Sequence, residues 1–393
     1  MRRRCSVLNP LDELTTQMVD SDVTLHRPQA GSLAPGAPPA DAIDDLGRAQ
    51  RRKRTRWWLG GLGTVVEVTI AAGVSLGPVP VSPATVWQVI GHHTLGWPAT
   101  VSWPAAEDSI VWVVRSPRVL LGAIVGAGLA VSGVALQALV RNVLADPFIL
   151  GVSSGASTGA AAAILFGFGV GLGSSSLTGT AFLGALAATA AVLLIARVGG
   201  RLTSTRLLLA GVTVGYALSA TTSFLIFASH SREGVKAVLF WLLGSLDLAR
   251  WSSVPVAALT VAGSFALLLV WGRRLDALAI GDETALALGT HPARFRIQVF
   301  VLVSVCVGAV VAVSGAIGFV GLVVPHLARR LVGGEHRRVL AVSALIGAIF
   351  LVWADVAARV ALQPAEVPLG IITALVGTPF LIVLVRRFHG AVT

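Results

Sequence analysis

The 24 residues Arg273–Arg296, RRLDALAIGDETALALGTHPARFR, set the architecture of this chain. They form the longest interruption of its apolar pattern after residue 255, with six apolar runs before them and four after. A segment this polar between membrane spans must lie in water, and its four arginines assign it to the cytoplasmic side. Within it, Leu278, Ile280, Ala285, Leu286 and Leu288 recur at spacings that suit a short amphipathic helix or a helix-turn-helix. Gly281-Asp282-Glu283 reads as a turn followed by acidic residues in the first turn of a second helix, where the helix dipole favours them. An apolar face on a wetted loop needs cover. Either the protein's own helix ends and lipid headgroups supply it, or a soluble partner docks there.

The remaining composition fits a polytopic membrane protein. Of 393 residues, 55 % are hydrophobic and only 12 % charged, with mean hydropathy +0.81, and runs near twenty apolar residues cross a bilayer core of about 30 Å. The net charge of +11 forms no basic face; the cations punctuate the apolar runs, so topology explains them and nucleic-acid binding is not expected. The only lysines, Lys53 and Lys236, lie outside any GxxxxGK[ST] setting, so the chain has no phosphate-binding loop and no ATPase site of its own. No catalytic or metal-ligating set is expected. Cys5 and Cys306 form no framework.

Residues 1–56 read as a disordered cytoplasmic tail. GSLAPGAPPADAIDD is rich in Pro, Ala and acids, and RAQRRKRTRWW anchors the inner end of a first span. Ten spans follow within 57–388, at 57–76, 119–140, 154–170, 177–196, 207–228, 254–271, 297–313, 317–331, 339–361 and 367–385. With both termini inside, inner segments hold twenty Lys and Arg and outer segments six, which supports an even span count. The six exceptions are Arg115 and Arg118 in RSPR, Arg232, Lys236 and Arg250 around VLFWLLGSLD, and Arg359, four residues after Asp355. They suit either snorkelling and pairing with Asp355 or an outward basic patch for an acidic partner.

An internal repeat is visible. Val125–Gly133 reads VGAGLAVSG and Val307–Gly315 reads VGAVVAVSG. Five spans separate the copies, so they cross the membrane in opposite directions, an inverted repeat of the kind transporters use. Beyond the first copy, Gln137, Arg141, Asn142 and Asp146 gather at the inner interface, with Ser153 and Ser154 as candidate caps of the next helix. In RLTSTRLLLAGVTVG, Ser204 and Thr205 suit an N-cap or a polar constriction closing a pathway.

The chain resembles the FecCD-type permeases of iron-siderophore, haem and cobalamin ABC importers. The similarity rests on RSPRVLLGAIVGAGLAVSGVALQALVRNVLADPFILGVSSGA, TSTRLLLAGVTVGYALSA, FWLLGSLD, the LAIGDETALALGTHPAR loop, SGAIGFVGLVVPHLARRLVGGEHRRVL and ADVAARVALQPAEVPLGIITALVGTPF, in the family's order. One departure is Val143, where the family commonly has proline. The resemblance implies an all-α, ten-helix type II importer permease in a bacterial inner membrane. It implies a homodimer with one pathway, lined by Ser204, Thr205, Gly211 and Ser219. Two separate ATPase subunits, carrying the ATP and Mg, would dock on Leu278, Ala279, Gly281, Asp282, Leu286, Leu288, Gly289 and Arg294. An extracytoplasmic binding protein would dock on Arg115, Arg118 and Arg359, and an iron chelate, a ferric siderophore first, would be the cargo. An ion-coupled secondary transporter is the alternative from another class; it needs paired intramembrane acids, where this sequence offers essentially Asp355.

Overall fold

The computed structural model describes residues 48–197, 203–363 and 365–389; residues 1–47 of the tail expected at 1–56 lie outside them. The described residues are helical apart from loops and one isolated bridge, Leu362 to Ala365. In chain order they form α1 (Arg48–Ser75), α2 (Pro83–Leu95), α3 (Ala105–Asp108), α4 (Ser116–Val140), α5 (Val152–Phe166), α6 (Ser176–Arg197), α7 (Ser204–Ala228), α8 (Arg232–Leu242) and α9 (Ser253–Val270). Then come α10 (Gly272–Ile280), α11 (Asp282–Ala287), α12 (Pro292–Ser314), α13 (Val320–Val332), α14 (His336–Val360) and α15 (Leu369–His389).

Each of the ten expected spans falls on a helix. Seven are long and apolar enough to cross a membrane, and α5 and the apolar part of α15 are shorter. The remaining span, expected at 317–331, is α13, which has 13 residues, roughly 20 Å at 1.5 Å per residue, short of a full crossing of about 30 Å. Two boundaries move. The basic run Arg48–Arg56 is not part of a loose tail but the first turns of α1. The second span begins at Ala105, so RSPR lies inside a continuous helical segment rather than ahead of it. Pro117 explains why that was hard to see. A proline lacks the amide for a helical bond and crowds the preceding turn, and here a π-helical segment, Ser109–Arg115, precedes it and loosens that turn.

At the centre stands α4, apolar all round and buried along nearly its whole length. Small residues let its neighbours come close. A Cβ on Gly126 would lie 2.1 Å from the Gly347 carbonyl oxygen of α14, and one on Gly133 2.0 Å from that of Gly321 on α13. The two repeat copies fall on α4 and α12 but end differently. α4 runs on past Gly133 for another two turns, whereas Gly315 takes a positive φ of 64° and ends α12. Packing of Gly133 on α13 favours the continuous form in the first copy; the approach of Gly315 to the Trp241 carbonyl favours the break in the second.

Candidate functional site

Three groups of expected residues lie on this scaffold. The first is the 273–296 segment, a helix-turn-helix of α10 and α11 joined at Gly281. Asp282 fixes it. Arg296 of α12 grips the Asp282 carboxylate with both terminal nitrogens, at 2.9 and 2.6 Å, and Arg141 pairs with the same carboxylate. Arg141 caps α4 in a left-handed conformation and donates from Nε to the Leu278 carbonyl at 2.9 Å. His336 at the start of α14 binds Asp276 at 2.6 Å. The segment is therefore pinned to three helices, and it still presents Ile280, Leu286 and Leu288 to solvent, at 73, 52 and 68 % exposure. Gly289 and Arg294 are exposed beside them, and Ala279, Gly281 and Asp282 are half-buried. Leu278 is a correction: it points into the core and is fully buried, because its apolar period on α10 faces the bundle.

The second group lies along α7. Ser204 spends its hydroxyl on the Leu139 carbonyl of α4 at 2.9 Å, and Thr205 is exposed. Neither caps the helix; Thr203 does, accepting from the Arg206 amide. Gly211 is buried close to Gly151 of the α4–α5 connection, while Ser219 is exposed, 3.5 Å from Ser154 on α5. The expected serine caps of α5 are likewise absent, for Gly151 holds that position. One side of α7 stays uncovered and carries Thr213, Tyr216, Ala220, Ser223 and Phe227, a mixed face unlike that of a helix turned wholly to lipid.

The third group is at the opposite end of the bundle. Arg115, Arg118 and Arg359 do converge there, but not as an outward patch: they are 3, 6 and 3 % exposed. Arg118 donates from Nε to Asp355 at 2.9 Å and from its terminal nitrogens to both Glu366 oxygens at 3.3 and 2.8 Å, with Asp247 at 2.9 Å. Arg359 pairs with the other Asp355 oxygen at 3.0 Å and donates to the Leu76 and Gly73 carbonyls, both at 3.1 Å. Arg115 donates to the Ser75 carbonyl at 3.2 Å and to those of Val74 and Val79 around the end of α1. Buried guanidinium groups need this much compensation. Burial pushes Asp247 and Glu366 up. At Asp247 its hydrogen bond with Glu366 and the Arg118 charge prevail and hold it below the ordinary range, while Glu366 stays raised.

Sequence reasoning found the Asp355–Arg359 pair from its spacing. It missed Arg118, Asp247 and Glu366 as partners, because 237 and 248 residues separate Arg118 from Asp355 and Glu366. Asp355 is thus held by two arginines, Arg118 and Arg359. Among the described residues no three His, Cys, Asp or Glu side chains gather as a metal site.

A helical membrane body with a pinned, apolar-tipped segment at one end and a helix of mixed polar and apolar face beside its core fits a transport permease. The comparisons agree. The FecCD transport family model matches residues 65–387, and the chain belongs to that family. It is 40 % identical to the cobalamin import system permease protein BtuC of Halobacterium salinarum, covering 84 % of this chain and 95 % of that one. It is 43 % identical to the Fe(3+)-citrate import system permease protein YfmD of Bacillus subtilis, covering 72 and 82 %. The hemin transport system permease protein HmuU of Yersinia pestis is 36 % identical over 86 and 97 %. A solved inward-facing conformation of a metal-chelate type ABC transporter superposes with a TM-score of 0.72 at 33 % identity, covering 84 % of this chain and 98 % of that one. The chain is thus a multi-pass permease subunit of an ATP-binding-cassette importer.

Proposed function

We propose that the chain imports an iron chelate, a ferric siderophore in the first instance, across a bacterial cytoplasmic membrane as a homodimer with both termini inside. Haem and cobalamin are the alternative cargoes, and the names of its relatives span all three classes. Two ATPase subunits, which bind the ATP and Mg, dock on the Ala279–Arg294 surface. The observation that carries this reading is the pairing of rigid anchoring with exposed apolar tips: Asp282 is clamped by two arginines while Ile280, Leu286 and Leu288 are left bare. A docking element must be stiff to transmit a push and apolar to hold its partner. Closure of the ATPase dimer then draws two such segments together and alternates access to a pathway between paired α7 helices, with Ser204, Thr205, Gly211 and Ser219 along it.

A binding protein delivers cargo to the opposite end. The depth of Arg115, Arg118 and Arg359 favours a role as a fixed foundation beneath that contact, with the carboxylates of Asp247 and Glu366 as the groups left at its rim. The test is uptake into proteoliposomes containing the permease, its ATPase and its binding protein. Radiolabelled ferric siderophore, haem and cobalamin are compared with and without ATP. ATP-dependent uptake of the siderophore above the other two is expected; accumulation by the permease alone without nucleotide refutes the reading.

A further inference from the structure

Away from the pathway helix, the outer ends of α6, α9 and α12 enclose an unassigned groove. Its larger cavity, about 540 Å³, is walled by Thr178, Phe182, Val256, Thr260, Ala309 and Val313. A second cavity of about 370 Å³ adjoins it, sharing Leu177, Thr178, Leu248, Ser253, Ala312 and Val313 and reaching Trp241. Two narrow apolar lobes side by side, each in the size range of small-molecule sites or near it, suit two hydrocarbon tails better than one rigid ring.

The depth of the groove follows from connectivity. α9 leads into the docking segment at its far terminus, α12 leaves that segment, and α6 returns towards Ser204, which touches the end of α4 beside it. The groove therefore lies at the end opposite the docking segment. Under the orientation proposed above, that is the outer leaflet.

One cation stands at its mouth. Arg250 lines the larger cavity, is exposed, and makes no side-chain hydrogen bond or ion pair among the described residues. Its own backbone is fixed by Ser253, whose hydroxyl donates to the Arg250 carbonyl at 2.8 Å. Of the other cations the charge count set apart, Arg115, Arg118 and Arg359 are buried and satisfied, and Arg232 and Lys236, on α8, line neither cavity. The nearest acid on the groove wall, Asp247, is neutralised by Arg118 at 2.9 Å. An unpaired guanidinium on the larger of two adjoining apolar lobes is complementary to a phosphodiester carrying two acyl chains.

We propose that this groove binds an anionic glycerophospholipid, its phosphate on Arg250 and its tails in the lobes between α6, α9 and α12. The site holds the outer ends of these helices together while α7 moves. The inference rests on the proposed orientation only for the leaflet, and the measurement that decides it is lipid retention, not transport.

The full chain is purified in mild detergent, delipidated and titrated with phosphatidylglycerol or phosphatidylcholine, with bound lipid counted by native mass spectrometry. One phosphatidylglycerol per chain is expected, retained about tenfold better than phosphatidylcholine: both present a phosphodiester to Arg250, but the choline cation of the second would lie against the guanidinium and repel it. Arg250→Gln, an exposed substitution, should remove that preference while leaving weak retention of both lipids. Thr178→Phe, which fills the wall common to the lobes, should abolish retention of both. Equal retention of the two lipids by the wild type, or an unchanged preference in Arg250→Gln, overturns the assignment and leaves only annular lipid. If Thr178→Phe lowers thermal stability, the Arg250→Gln comparison alone decides. Uptake measured in parallel separates a failure here from a failure of the import reading.

Discussion

Replacing Leu286 by aspartate is the sharpest probe of the docking surface. Leu286 is 52 % exposed on α11, so a partner that covers it gains about half the value of a fully buried leucine, roughly 1–1.5 kcal/mol. An aspartate there loses that gain and must also shed water from a polar group on docking, a further ~1–3 kcal/mol. Together, about 3 kcal/mol corresponds to roughly a hundredfold rise in Kd. Gly281→Asp is its companion. Gly281 has φ 170° and ψ 161°, extended backbone open to any residue, and a Cβ there would meet only the Thr284 hydroxyl at 3.8 Å. Neither substitution therefore touches the folded core. The assay is titration of the ATPase that co-purifies with the wild-type chain against permease in nanodiscs, with thermal unfolding as the check on folding. Glu283→Gln, on the exposed polar side of α11, should change Kd by no more than a few-fold. Unaltered affinity in Leu286→Asp and Gly281→Asp, with unfolding temperatures intact, would mean that the apolar tips rest on headgroups and that the ATPase grips elsewhere.

Further outcomes follow from the same contacts. Asp355→Asn leaves two buried guanidinium groups short of a counter-charge and should destabilise the chain by about 3–5 kcal/mol, read as a lowered unfolding temperature in detergent. Gly133→Val should prevent accumulation of folded protein, because its Cβ would lie 2.0 Å from the Gly321 oxygen, a backbone atom that has no room to yield; expression followed by size-exclusion chromatography checks this. Asp146, on the connection between α4 and α5, is pushed up to about 6 by burial, above the ordinary carboxylate range, despite accepting from the Phe148 amide. Its proton is held more tightly folded than unfolded, so it makes stability fall as pH rises from about 4 to 6 and level off above. Asp146→Asn should flatten that part of the stability–pH profile.

The spans and the polar segment 273–296 were legible because membrane insertion writes both into local composition: long apolar runs, and polar loops dense in arginine between them. The helix-turn-helix at Gly281 came from spacing within a dozen residues. Where the reading slipped, the deciding contact lay far off in sequence. Leu278 and Leu286 look alike on the apolar face of one loop, yet only the bundle beneath α10 makes the first a core residue and the second a tip. Arg118 looked like an outward charge because Asp247, Asp355 and Glu366, which neutralise it, come from two distant connections and a helix. α13 resembled a span until Gly315 ended α12 and Gly133 set where the short helix begins. In each case, local pattern determined the element and non-local packing determined which way its side chains face.

The two ends of α4 link these observations. Near its start, Arg118 is tied to α14 and to the connections before α9 and α15; at its end, Arg141 is tied through Asp282 to the docking segment. The helix itself has 25 residues, about 37 Å at 1.5 Å per residue, buried on nearly every side and packed through glycine contacts on α13 and α14. Such a helix bends little, so a displacement at one end is carried to the other as a rigid-body shift rather than absorbed on the way. Removing the lower tie with Arg141→Gln should therefore spare ATPase binding, since Arg296 still holds Asp282, but lower the stimulation of ATP hydrolysis by cargo-loaded binding protein. Full stimulation in that variant would show that the signal bypasses α4, leaving the α10–α14 contact at Asp276 and His336 as the other route.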